Sequence, residues 1–236
     1  MIPKIIHAAW NDKNILNSSS LLLEYGWKKL VNLNSNWKFE ISNDEDINCY
    51  LAHNLGKDYS LVENECMVAK TDIWRLLKIY TEGGIYLDID RFCNVILDDV
   101  VDSNVSIILP IFNNYDFSHD LMISEPNNLI FKNTIDMYLS RRKQGNRNIY
   151  FLGAQTYMHA ITYTLYGQII NTNPGKEFFK NFYNFCKNKH TNIQVYFEDS
   201  SANTFLFRNE KINYDLETLK RQFYSENNVK HWTQEW

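Results

Sequence analysis

The sequence predicts an α/β fold around a central sheet that is mixed but mostly parallel, and three observations support this. Two short apolar runs, residues 4–10 and 37–42, flank a helical segment, which is the strand, helix, strand order of a parallel βαβ unit. Further along, the spacing of apolar residues changes from helical to alternating at Gly83-Gly84. The length of 236 residues suits one large domain, and 44% hydrophobic residues supply its core.

The first βαβ unit is predicted from "KIIHAAW", residues 4–10, and "WKFEIS", residues 37–42, which are short apolar runs typical of strands. The segment between them, "SSSLLLEYGWKKLVNLN", starts with serines that can cap a helix, and we expect one helix there. Asp44-Glu45-Asp46, directly after the second strand, is expected to lie in a polar loop.

A second helix is predicted over residues 63–81, where apolar side chains recur at steps of four, three and four. It ends at Gly83-Gly84, because glycine adopts the left-handed conformation that terminates helices. In "IYLDID", residues 85–90, apolar side chains alternate with Tyr86, Asp88 and Asp90. This alternation predicts a strand that presents both aspartates on the same face.

The remaining segments continue the α/β pattern. A helix is predicted at residues 127–142 and an exposed loop at 141–148. Residues 156–170 are predicted to be helical or mixed, and the last forty residues are polar apart from "HWTQEW". Two further strands are predicted in "VSIILPIF", residues 105–112, and "IQVYFE", residues 193–198.

Composition excludes several classes of function. The formal net charge is −4 and no run of Lys and Arg is present, so nucleic-acid binding is not expected to be the main activity. The four cysteines lack zinc-ligand spacing and are expected to be reduced thiols. The sequence contains no stretch of about 18 consecutive apolar residues, so no transmembrane segment is predicted. We expect a cytoplasmic protein, with peripheral membrane contact left open.

The chemistry is predicted from two pairs of charged residues. Asp88 and Asp90 are spaced i and i+2 at the end of a strand, which lets both carboxylates share a hard divalent cation. This spacing alone is common. One helix upstream, Asp72 and Arg75 are neighbours on one helix face, beside the apolar stripe. Taken alone, they could equally form a surface ion pair of little energetic value.

Three ordered blocks, "IPKIIHAAW", "AKTDIWRLLKIYTEGGIYLDID" and the terminal "KHWTQEW", together resemble a known family. They are similar to glycosyltransferases with a sugar-binding region that contains a DXD motif. Relatives include fungal initiating mannosyltransferases, capsular polysaccharide transferases and, distantly, clostridial glucosylating toxins. The resemblance implies a single GT-A domain, with a nucleotide-sugar-binding half at about residues 1–110 and an acceptor-side half at 111–236.

The resemblance also implies roles for the charged pairs. Asp90 would ligate Mn²⁺ or Mg²⁺ directly, and Asp88 would contact the metal site and the ribose or sugar hydroxyls. Asp72 and Arg75 would grip the donor sugar, and Tyr86 would lie near the ribose. The four charged residues are the candidate catalytic residues, and the enzyme would transfer sugar with retention of anomeric configuration.

Four further roles follow from the same resemblance. Trp10 would stack on the nucleobase of the donor, since a flat ring suits that contact. His231 would complete the metal shell, and Trp236 would close over the diphosphate. Asp120 is a candidate for orienting an acceptor hydroxyl. The donor would be a UDP-sugar or a GDP-sugar, with UDP favoured, and the acceptor a glycan in polysaccharide biosynthesis.

The sequence departs from the family pattern at several positions, and two alternatives stay open. Ala8 and Thr71 replace the usual Gln and Ser, Ala154 replaces Pro, and Glu235 places a negative charge near the expected phosphates. The last two changes leave room for a non-catalytic nucleotide-sugar-binding module or a partner subunit of a transferase. A phosphatase of the haloacid dehalogenase type is disfavoured, because Phe92 stands where that class needs Thr or Val.

Overall fold

The computed structural model describes residues 1–91, 95–112, 116–170, 174–197 and 216–227. Strand β1 (Ile5–Ala9) pairs in parallel with β2 (Lys38–Ser42), which confirms the predicted βαβ unit. The connection holds two short helices, α1 (Leu21–Tyr25) and α2 (Trp27–Leu33), instead of the one predicted. They are separated at Gly26, whose ψ of −98° lies outside the helical region.

The polar loop predicted at Asp44-Glu45-Asp46 is wrong, because these residues form the first turn of helix α3 (Asp44–Leu55). The Asn43 side chain accepts a hydrogen bond from the Asp46 N–H at 3.0 Å, and the Asp46 carboxylate accepts one from the Asn43 N–H at 3.0 Å. This reciprocal capping box explains why an acidic run starts a helix here, since carboxylates are stabilised near helix N-termini.

Helix α4 (Met67–Glu82) leads directly into strand β3 (Gly84–Leu87), so the predicted change of period is confirmed, although the helix begins four residues later than expected. Gly83 and Gly84 both have positive φ, at 68° and 92°. A Cβ on Gly84 would lie 2.5 Å from the Ile5 carbonyl oxygen of β1. Glycine is therefore required both by conformation and by the close approach of the neighbouring strand.

The remaining strands are β4 (Ile107–Phe112), β5 (Asp116–Phe117), β6 (Leu121–Ser124) and β7 (Ile193–Phe197). The sheet has the order β2-β1-β3-β6-β4-β5, and β7 pairs with β4. Strands β5 and β6 run antiparallel to their partners, and the other five described strands point the same way. The predicted mixed, mostly parallel sheet is confirmed.

Helices cover both faces of this sheet and form two apolar layers. One layer contains Trp74, Tyr86 and Phe131, and the other contains Trp27, Leu87 and Phe223. Within the described residues, none of the helices combines the length and apolar character needed to cross a bilayer. The later helices are α5 (Leu129–Lys143), α6 (Thr156–Tyr166), α7 (Gly175–Lys189) and α8 (Leu216–Glu226).

The exposed loop predicted at residues 141–148 is partly wrong, because Arg141, Arg142 and Lys143 form the last turn of α5. Arg142 is buried, donates to the Leu61 carbonyl at 2.7 Å and pairs with Glu65. Basic residues suit the C-terminal turn of a helix. Helices α7 and α8 were not predicted from the sequence.

Candidate active site

A cavity of about 1130 Å³ lies beside the N-terminal half of α4 and the turn that follows β3. Its walls come from α4, that turn, the segment 116–120, residues near 150 and helix α8. Five of the residues singled out in the sequence line it together: Asp72, Arg75, Asp88, Asp90 and Asp120. Residues from distant parts of the chain therefore converge on a single concave surface.

The two aspartates reach the cavity from a turn and not from the strand itself. Strand β3 ends at Leu87, and the Arg91 N–H donates to the Asp88 carbonyl at 3.0 Å to close the turn. The prediction that one strand face presents both carboxylates is therefore corrected in its geometry. The Asp88 backbone is fixed on two further sides, by the Asp120 carbonyl at 3.0 Å and the Trp27 indole N–H at 3.2 Å.

Arg75 bridges two of the aspartates that line the cavity. Its Nη2 lies 2.9 Å from Asp72 Oδ1, and its Nη1 lies 3.5 Å from Asp88 Oδ1. Nη1 also donates to the His119 carbonyl at 2.9 Å, and the guanidinium lies 4.7 Å from the centre of the Tyr86 ring. Asp72 and Arg75 are each only 7% exposed, so the surface ion pair considered from the sequence is wrong.

Burial makes the carboxylates of this cavity costly to ionise. It raises the pKa of Asp72 to about 6; the nearby Arg75 lowers that pKa and Asp88 raises it. Burial also raises the pKa of Asp88 to about 6, opposed by Arg75 and reinforced by Asp90 and Asp120. Crowded carboxylates with raised pKa values are typical of sites that receive a cation or a polar ligand.

Tyr86 does not line the cavity but supports it. Its ring is buried, and its hydroxyl donates a hydrogen bond to Asp88 Oδ1. The same ring contacts the Arg75 guanidinium. Tyr86 thus fixes the two charged groups relative to each other, and its predicted place near the ribose stays a prediction.

Two residues near Asp72 were missed by sequence reasoning. His119 Nδ1 lies 3.6 Å from Asp72 Oδ1, and burial together with Arg75 lowers the His119 pKa well below its usual value. Gly153 belongs to a π-helical turn, Phe151–Gln155, and a Cβ built there would lie 2.9 Å from Asp72 Oδ2. A lone histidine gives no sequence signal, because only the fold brings it to α4. Gly153 precedes Ala154 at the position of the family's Gly-Pro pair, but the sequence did not predict its contact with Asp72.

Replacing Gly153 by alanine is expected to displace the Asp72 carboxylate from Arg75, because the added methyl group needs the space of Oδ2. Overpacking of this kind costs about 1–3 kcal/mol. We expect a lower urea midpoint together with weaker donor binding, measured by chemical denaturation and calorimetry. Gly167→Ala is the control, since its φ of 72° makes alanine unfavourable while no atom lies within 4 Å.

Helix α8 closes the cavity from the C-terminal part of the chain. Lys220 Nζ lies 2.8 Å from Asp90 Oδ2, and the Tyr224 hydroxyl donates to the same oxygen at 3.4 Å. The sequence contains a weak signal for this helix, since Leu219 and Phe223 are spaced i and i+4 and both are buried. His231 and Trp236, predicted for the metal shell and for closure over the diphosphate, lie outside the described residues.

Trp10 lies beside α8 and is not among the residues that line the cavity. Its ring centre is 4.9 Å from that of Phe223 and 5.9 Å from that of Tyr224. Its indole N–H is buried and has no hydrogen-bond partner within the described part of the chain. Stacking of Trp10 on a nucleobase stays a prediction, and it would require the base to enter next to these two rings.

Asp120 faces the cavity and pairs with Arg91. The pair lies beside Asp88, whose backbone N–H donates to the Asp120 carbonyl. The predicted role of Asp120 in orienting an acceptor hydroxyl stays a prediction.

A second acidic group lies apart from this cavity. His7, Glu40 and Glu82 bring three ligand atoms within 4.8 Å of one another. Lys78 Nζ, however, lies 2.6 Å from Glu82 and 3.6 Å from Glu40. Lys38 pairs with Glu40 as well, so two ammonium groups balance the two carboxylates, and the cluster is an ion-pair network between α4 and the sheet.

An α/β sheet with paired aspartates in the turn after its central strand β3, facing a cavity, is typical of the GT-A fold. Comparison with solved structures agrees with this fold: PaToxG Glycosyltransferase superposes with a TM-score of 0.51 at 19% identity, over 70% of each chain. The predicted fold class is therefore confirmed.

The family is given by the N-terminal part of the chain. Residues 4–107 match the model described as "Glycosyltransferase sugar-binding region containing DXD motif". "Inositol phosphoceramide mannosyltransferase 1" of Schizosaccharomyces pombe is 26% identical over 133 residues, which cover 53% of this chain and 39% of that protein. The resemblance stated from the motifs is confirmed, since residues 4–107 are similar to the sugar-binding region of the DXD glycosyltransferases. The match spans less than half of this curated relative.

Proposed function

We propose that the protein is a metal-dependent, retaining glycosyltransferase that moves a sugar from a UDP-sugar or GDP-sugar to a hydroxyl group of a glycan. One observation carries the proposal: Arg75 joins Asp72 to Asp88 inside one cavity of a DXD sugar-binding region. A donor bound along this line would have its sugar at the Asp72 end and its diphosphate at the Asp90 end.

At the sugar end, buried charge replaces water as the partner of the sugar hydroxyls. The Asp72 carboxylate accepts hydrogen bonds from hydroxyl groups, and Arg75 donates to them or to the glycosidic oxygen. Because both side chains are held by each other and by the walls of the cavity, little rotamer freedom is lost on binding. This end of the cavity would orient the anomeric carbon.

At the diphosphate end, the donor set fits a hard divalent cation. Asp88 and Asp90 offer only carboxylate oxygens, which suit Mn²⁺ or Mg²⁺, and Asp90 already holds one cation, the Lys220 ammonium. Asp88 and Asp90 would hold the metal, with His231 as a third candidate ligand. Such an ion, when bound, would stabilise the negative charge that forms on the leaving diphosphate.

The protein also places its own positive charge at this end. Lys220 and Arg221 line the cavity from α8, and Arg91 lines it from the turn after β3. Cations positioned where charge develops stabilise the transition state without reorganising. The departing diphosphate oxygen is itself basic enough to receive the acceptor proton, so the transfer needs no protein base.

The test is release of nucleoside diphosphate from a panel of UDP- and GDP-sugars, with Mn²⁺, with Mg²⁺ and with EDTA. We expect release from one donor, dependent on the metal, and faster when an acceptor is present. Tight donor binding with neither hydrolysis nor transfer would favour the non-catalytic binding module. Absence of donor binding across the panel would contradict the proposal.

Replacing Lys220 by methionine is expected to strengthen the binding of Mn²⁺ and to weaken the binding of the nucleoside diphosphate. Loss of the ammonium removes one partner of Asp90 Oδ2 and takes positive charge away from the metal position, so Mn²⁺ should bind about 3- to 10-fold more tightly. The nucleoside diphosphate should bind more weakly, because one cation near the phosphates is lost. Calorimetric titration of each ligand alone separates the effects, and equal weakening of both would contradict the assignment.

A further inference from the structure

An exposed aromatic ring stands on the wall of the cavity. Tyr150 is 57% exposed, yet it lines the same cavity as Asp72. Most large side chains of the two apolar layers are fully covered. A single exposed aromatic residue on an outer surface needs no explanation, but one that forms part of a ligand cavity is typical of a binding contact.

The ring is held in place by a carboxylate from another segment. The Tyr150 hydroxyl donates to Asp116 Oδ2 at 3.2 Å, and the Phe117 N–H donates to Asp116 Oδ1 at 2.9 Å. Asp116 lines the cavity as well. Each carboxylate oxygen keeps a free lone pair, so Asp116 can accept a further hydrogen bond while it holds the tyrosine.

The pair lies next to the sugar end of the cavity. Tyr150 directly precedes the π-helical turn in which Gly153 packs against Asp72. Asp116 begins the segment 116–120, whose His119 contacts Asp72 and whose Asp120 carbonyl accepts from the Asp88 N–H. Tyr150 and Asp116 are therefore close in the chain to residues that surround the expected position of the donor sugar.

An aromatic face beside a carboxylate matches the chemistry of a sugar ring. The C–H groups on one face of a pyranose pack against an aromatic ring, and its hydroxyl groups donate to carboxylate oxygens. The Asp116 carboxylate disfavours an anionic acceptor at this wall. The apolar residues Ile149 and Phe117 line the cavity beside this pair.

We propose that Tyr150 and Asp116 form an acceptor subsite that binds a neutral pyranose, so that the acceptor is a sugar and not a peptide or a lipid alcohol. This inference rests on the proposed function, because it assumes that a nucleotide sugar occupies the adjoining end of the cavity. Tyr150 supplies the stacking surface, and Asp116 orients the ring through one hydroxyl.

The experiment measures release of nucleoside diphosphate from the donor that the wild-type protein selects, with and without added acceptor probes. The probes are methyl glycosides of mannose, glucose, galactose and N-acetylglucosamine, a serine-containing peptide and an alkyl alcohol. The variants are Tyr150→Ala, Tyr150→Phe and Asp116→Asn. Tyr163→Ala is the matched control, since Tyr163 is 47% exposed on α6 and is not among the cavity-lining residues.

We expect at least one methyl glycoside to accelerate release. In Tyr150→Ala and in Asp116→Asn, the factor by which the KM for that glycoside rises should be about 10 times the factor by which the KM for the donor rises. Tyr150→Phe keeps the ring and should raise the acceptor KM less than about 3-fold, and Tyr163→Ala should change neither. A change in the acceptor KM without a matching change in the donor KM distinguishes the loss of an acceptor contact from a general loss of structure.

Three results would overturn the inference. They are acceleration by the peptide or the alkyl alcohol but by no glycoside, donor hydrolysis that no probe accelerates, and acceptor KM values that the Tyr150 and Asp116 variants leave unchanged. If no donor is bound or cleaved at all, the proposed function itself fails, and that outcome is distinct because it appears before any acceptor is added.

Discussion

Replacing Asp90 by asparagine is expected to slow metal-dependent release of nucleoside diphosphate at least about 100-fold at saturating Mn²⁺. Asparagine keeps the shape of the side chain but removes the charge that a hard cation requires. A 100-fold loss corresponds to about 2.7 kcal/mol of transition-state stabilisation, within the several kcal/mol that a bound cation supplies. The residual rate should no longer respond to EDTA.

The control for this change is Asp99→Asn. Asp99 is an exposed aspartate in the short helix Leu97–Asp99 and does not line the cavity, so its variant should keep the wild-type rate and metal dependence. The Asp90→Asn protein should remain folded, because the asparagine amide oxygen can still accept a hydrogen bond from Lys220 and the loss of one crowded carboxylate relieves repulsion with Asp88. Full donor turnover by Asp90→Asn would refute the metal role of this residue.

The elements that could be predicted from the sequence are those with a strong local pattern. Strands β1, β2, β4 and β7 are short apolar runs, and the α4 to β3 junction carries two glycines that the backbone conformation requires. Helix α3 was missed because its signal is the Asn43 cap and not an apolar stripe. Helix α8 was missed because its buried face consists of Leu219 and Phe223 within a polar segment.

The candidate site was predictable only where its residues share one stretch of chain. Asp72, Arg75, Asp88 and Asp90 lie within nineteen positions of one another, so a motif can contain them. Their burial could not be predicted, because α4 is covered on several sides by elements far away in sequence. Further lining residues come from separate segments that only the tertiary fold brings to α4, among them His119, Tyr150, Asp116 and Lys220.

Replacing Arg75 by methionine is expected to cost stability and donor binding together. Asp72 would remain buried, and Asp88 partly buried, without the guanidinium that contacts both, and removal of one partner from a buried ion pair typically costs about 3–5 kcal/mol. Arg75→Lys keeps the charge but loses the planar fork that contacts both carboxylates at once. It should recover part of the stability and little of the donor affinity, measured by urea denaturation and calorimetry.

Arg142→Met provides the matched control, because Arg142 is also a buried arginine, pairs with Glu65 and is not among the residues that line the cavity. Its loss should lower the urea midpoint by a comparable amount while the folded protein still binds the donor. Loss of donor binding in both variants would mean that destabilisation alone explains the Arg75 effect. If only Arg75→Met loses donor binding, Arg75 takes part in donor recognition through its contacts with Asp72 and Asp88. The two variants would then be equally destabilised and would differ only in the position of the lost charge.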